Sequence, residues 1–147
     1  MFECIALHSL VKVFEDEKPA GGFLKPFSVF LNERVAFQAA LYSGSALTLT
    51  VEMDMTPALY GGVSVFLVRQ IPSSLPCYKD HDNELLRSEP GLYPDLLEPV
   101  DGPFELEAGK WQSLWFELAP GSETAPGFNR ETHGPRTRGA VLESGAG

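Results

Sequence analysis

The sequence predicts an all-β domain: an antiparallel β-sandwich, immunoglobulin-like or jelly-roll-like, with about six to eight short strands. Three observations predict it. Apolar residues recur with period two in several separate stretches, the signature of strands with one face in a core and one in water. Gly (14) and Pro (12) are frequent among 147 residues, as turn-rich β proteins require. No stretch of ten or more residues carries a 3.6-residue apolar stripe.

The elements follow in chain order. Residues 4–14 and 26–31 are weak strand candidates. In residues 34–42, Val35, Phe37, Ala39 and Leu41 fall on one face and Arg34, Gln38 and Tyr42 on the other. In residues 46–53, Leu47, Leu49, Val51 and Met53 alternate with Thr48, Thr50 and Glu52. Ser43-Gly44-Ser45 between the two is short enough to join them as a hairpin. After Gly61-Gly62, residues 63–68 are apolar on both faces, which predicts a central strand. Residues 71–102 hold Pro72, Pro76, Pro90, Pro94 and Pro99 and read as one long connection, of the kind that is functional or docked against something. Residues 104–108 form a further weak candidate. In residues 111–118, Gln112, Leu114, Phe116 and Leu118 make the better core face, opposite Trp111, Ser113, Trp115 and Glu117.

One domain is expected, since a chain of this length buries enough surface to fold without disulfides or metal. It divides into a sandwich over residues 1–128 and a tail over 129–147. The tail has little apolar content and no alternation, so it is expected to be poorly ordered.

Charge and termini exclude whole classes. Twenty acids against eleven bases give a net charge of −9. No Lys/Arg cluster could neutralise a nucleic acid backbone or engage an anionic membrane. No apolar run reaches the length of a spanning helix. The start, Met1 to His8, lacks the basic region and cleavage site of a signal peptide, so the chain as written reads as cytoplasmic. Cys4 and Cys77 are two reduced thiols or one disulfide.

Catalytic constellations are not visible. His8, His81 and His133 are not spaced for metal binding or a triad. Residues 80–84 are rich in oxygen ligands but lack the turning glycine of a calcium loop, and a solvated acidic loop is the better reading. No cofactor and no metal are expected. Aromatic side chains are the remaining route to function. Trp111 and Trp115 share a strand face about 13 Å apart. They lie either under a loop or partner domain, or in a solvent groove as stacking platforms for sugar rings. Tyr78 and Tyr93 in the long connection carry the same two readings.

Leu31-Asn32-Glu33-Arg34-Val35-Ala36-Phe37-Gln38 resembles the Gly/Asn-Glu-Arg-x-x-x-Gln strand of the domain of unknown function 4091 family, related to glycoside hydrolase family 123. Residues 90–97, with Tyr93-Pro94-Asp95-Leu96, are similar to that family's Tyr-Pro-Asp-x-Leu loop. Residues 111–118 resemble the strand before its Pro-x-x-x-x-x-Pro-Gly-x-Tyr turn, which here spans Pro120 to Phe128. The resemblance runs from about residue 7 to 128, after which the family's last strand is missing and the tail is expected to be unrelated sequence.

The resemblance implies an N-terminal accessory domain, non-catalytic alone, that supports or presents substrate to a (β/α)₈ barrel carrying the catalytic Asp-Glu pair. The parent protein would be a glycosidase acting on N-acetylgalactosaminides. Tyr93, Pro94, Asp95 and Leu96 would then face the barrel. Two alternatives stand beside this reading. One is a free carbohydrate-binding module using Trp111, Trp115, Tyr78 or Tyr93 on an oligosaccharide. The other is an interaction domain that pairs through an open strand edge.

Overall fold

The structure, a computed structural model, describes residues 1–53, 62–75, 77–80, 84–122 and 124. Seven strands lie among the described residues: β1 (Phe2–His8), β2 (Val35–Ser43), β3 (Leu47–Leu49), β4 (Val63–Ser73), β5 (Gly91–Pro99), β6 (Phe104–Leu106) and β7 (Trp111–Leu118). Every pairing is antiparallel, and the described residues include no α-helix. Five strands form one sheet in the order β1-β2-β7-β4-β5, and β3 with β6 forms a second.

The main core lies between the sheets. Leu41, Leu67 and Leu114 of the large sheet meet Leu49, Phe104 and Leu106 of the small one. Ala39, Leu47, Val51, Val65, Val100 and Phe116 pack around them. Each fully buried leucine stabilises this layer by about 1.5–3 kcal/mol. Phe37 and Phe116, cross-strand partners in register, extend it as stacked rings 5.0 Å apart.

The outer face of the large sheet is covered by the chain itself. After β1, residues 9–18 form a strap that crosses the sheet from β1 towards β5. Val13 packs with Leu7, Ala40 and Trp111 in a second core, flanked by Ile5, Val11 and Tyr42. Two glutamines on the sheet hold the strap by its backbone. Gln38 donates from Nε2 to Ser9 O (3.0 Å) and Val11 O (2.8 Å), and its Oε1 accepts from Ser113 Oγ (2.7 Å). Gln70 Nε2 donates to Val13 O (3.0 Å). Strap and sheet also share a backbone bond, Trp111 N to Glu15 O (2.8 Å). The chain then returns to the free edge of β1, where His8 N donates to Gly22 O and Leu24 N to Ala6 O. Gly22 adopts φ +72°, and a Cβ there would stand 2.3 Å from Val11 Cγ2, so only glycine fits this return.

The two-sheet, all-β prediction holds; β2 and β7 lie where the alternation placed them, and β4 begins where the run apolar on both faces does. β4 is paired on both sides, as its two apolar faces predicted. Four expectations are corrected. Ser43-Gly44-Ser45 does not join a hairpin: β2 already has β1 and β7 on its edges, so the chain crosses to the other sheet and β3 pairs with β6. β3 is also shorter than the alternation, which runs on to Met53, and ends at Leu49. The stretch 71–102 is not one long connection, because β4 continues to Ser73 and Gly91–Pro99 forms β5. An edge strand needs hydrogen bonds on one side only, so Pro94 and Pro99 are tolerated there, with a register shift opposite Arg69 and Gln70. Residues 26–31 form no strand. The tail 129–147, most of the turn at 120–128, and His81 and His133 lie outside the described residues.

Candidate functional site

The strap covers only part of the outer sheet face. Beyond it, Trp115 stands between its register partners Gln38 on β2 and Phe66 on β4, and it is half-buried. A depression of about 160 Å³ opens here between strap and β5. Ser9 and Lys12 of the strap, Pro94, Asp95 and Leu97 of β5, and the Trp115 indole are among its walls. Lys12 Nζ donates to Pro94 O (3.3 Å), tying strap to edge strand and leaving two ammonium protons for other acceptors. The Asp95 carboxylate is exposed, and it and the Ser9 hydroxyl have no hydrogen-bond partner among the described residues. Trp115 Nε1 and Gln70 Oε1 are buried and unpartnered, each leaving about 1–3 kcal/mol of desolvation uncompensated.

The other predicted site residues are dispersed. Trp111 shares the face with Trp115, as its spacing required, but is only 6% exposed and stacks on Tyr42 at 5.1 Å. Its cover is the strap rather than the long connection. Tyr78 is 89% exposed, away from any ring partner among the described residues. Tyr93 is half-buried, with its hydroxyl donating to Glu89 O (2.6 Å) and its ring meeting Phe14 edge-on at 5.8 Å. On the same strand Pro94 is buried, whereas Leu96 is exposed beside Asp95. Cys4 and Cys77 are free thiols.

An ionic clasp holds the far end of the strap. The Arg87 guanidinium lies 3.7 Å from the Phe14 ring centroid and binds Asp16 (2.7 Å) and Glu17 (2.9 Å). Its hydrogen bond holds the Asp16 carboxyl below the usual range, and Asp16 in turn raises Arg87. Lys110 acts likewise on Glu107, lowering that carboxyl through a hydrogen bond. No cluster of three or more metal-ligating side chains occurs among the described residues.

Sequence reasoning missed Ser9, Lys12 and Gln38 as neighbours of Trp115. Gln38 alone left a signal, a long polar side chain opposite the apolar face of a strand.

These features define a class: a two-sheet, all-β domain whose outer face is strapped by its own chain. No family model matches the sequence, and no curated protein does. The fold is similar to part of a solved family 123 glycoside hydrolase from Clostridium perfringens, studied for glycolipid glycan hydrolysis. The match has a TM-score of 0.50 at 9% identity and covers 67% of this chain. It spans only 17% of that hydrolase chain.

Proposed function

We propose that this chain is the accessory β-sandwich of a glycoside-hydrolase-like protein, supporting or presenting substrate to a (β/α)₈ barrel not contained in these residues. The observation that carries the reading is the fold match to a limited part of a family 123 hydrolase. The ordered motifs at residues 31–38, 90–97 and 111–118 point the same way. β5 offers the docking edge: its outer side pairs with no strand among the described residues, and Leu92, Leu96 and Asp95 are exposed along it. Tyr93 and the buried Pro94 then act as the rigid base of that edge.

Sequencing the coding region downstream of residue 128 tests the parentage. A barrel-coding frame would supply the partner, and a stop without one would overturn the accessory role. With a barrel in hand, the fused protein should melt in one transition. Leu96→Asp should split it into two if β5 is the contact.

A further inference from the structure

We propose that the depression beside Trp115 is a binding site for one pyranose ring of a neutral saccharide. The inference deepens substrate presentation and rests on that reading only for the source of the sugar. The site itself is argued from its walls.

Trp115 contributes aromatic surface to the wall from the interior of the sheet, flanked in register by Gln38 and Phe66, and a half-buried ring has little rotamer freedom to lose on binding. Leu97 and Pro94 continue the apolar surface at the β5 side. The polar groups around it are mixed in kind. Lys12 has free donor protons, Asp95 is an acceptor, and the Ser9 hydroxyl is both. A pyranose matches this set, since its C–H face lies flat on an aromatic ring while its rim hydroxyls both donate and accept. One cation and one anion at the rim leave no net charge to recruit an ionic ligand. A nucleotide would stack equally well, but its phosphates would be repelled by a chain of net charge −9. The cavity is of the order of a single ring, so one sugar unit is specified rather than a long chain.

The strap makes the site adjustable. Trp115 Nε1 is enclosed and unpartnered, and the nearby strap residues Ser9 and Val11 are held through their carbonyls by Gln38. A small strap shift would uncover this donor for a sugar hydroxyl, so ligand and strap should move together.

The test is a titration of the whole ¹⁵N-labelled chain with methyl glycosides of glucose, galactose and N-acetylgalactosamine, followed by NMR. With one aromatic platform and three polar contacts, a dissociation constant of about 1 mM is expected. The indole cross-peak of Trp115 should shift saturably with the amides of Ser9, Lys12 and Asp95, while that of Trp111 stays fixed. Asp95→Ala, at an exposed edge position, should weaken binding about tenfold. Trp115→Phe, read on the strap amides, should weaken it further. No saturable shift with any glycoside would overturn the proposal, as would shifts centred on Tyr78 or affinity unchanged by both substitutions. Either result leaves the accessory role to be judged separately by the fused protein's melting.

Discussion

Replacing Gln38 by leucine should release the strap without opening a cavity, because leucine is close to glutamine in volume. The side chain is 3% exposed and makes three short hydrogen bonds. Its loss orphans the Ser113 hydroxyl, which at 1% exposure has no water to turn to. It also orphans the carbonyls of Ser9 and Val11, which lie nearer solvent. A fully buried orphan costs about 1–3 kcal/mol, and partly hydrated carbonyls cost about 1 kcal/mol each. The total is about 3–5 kcal/mol, a large part of the 5–15 kcal/mol that holds an average domain. In urea denaturation with a slope of about 2 kcal/mol/M, the midpoint should fall by about 1.5–2.5 M. Adding Ser113→Ala should then cost less than it does in the wild type, with a coupling of about 1 kcal/mol. Amide exchange should quicken at Val13 while the centre of β7 stays protected. A loss below 1 kcal/mol with unchanged exchange would refute the view that Gln38 fastens the strap.

Other consequences can be measured on the same protein. Gly62→Ala would put a Cβ 2.3 Å from Ala119 O, beside the Ala119 N to Gly62 O bond (2.7 Å), and should cost about 1–3 kcal/mol in thermal unfolding. Arg87→Ala removes both the Phe14 contact and the clasp on Asp16 and Glu17, so exchange at residues 14–17 should rise, with about 1 kcal/mol lost globally. The clasp is also acid-labile. Asp16 is held below its ordinary 3.8, so its contribution is present above that pH and is lost as pH falls through the lowered value. Glu107 beside Lys110 behaves in the same sense below its ordinary 4.5. The acid-induced loosening of residues 14–17 should disappear in Arg87→Ala. Iodide should quench Trp115 and spare Trp111, so Trp111→Phe should leave a mainly quenchable emission.

The sequence by itself determined the strand class, the positions of β2, β4 and β7, and the core faces of β2 and β7. Period-two alternation is a local property, and it puts Leu114 and Phe116 together on the face that meets the small sheet, opposite Ser113 and Glu117. β5 was hidden because its apolar residues do not alternate and its prolines imitate a connection, although an edge strand accommodates both. Only the tertiary structure decided which strands are neighbours. The alternation in β2 and β3 is the same whether they pair or part, and the occupied edges of β2 settle the matter. It also decided what covers the tryptophans. Residues 9–14 read as the end of a weak strand, yet β1 stops at His8 and the conformation of residues 9–18 is set by Gln38, Gln70 and Arg87, which lie 20 to 78 positions away in sequence. The groove at Trp115 is the product of that long-range fastening. A strap laid over the sheet buries one tryptophan and leaves the other at its margin.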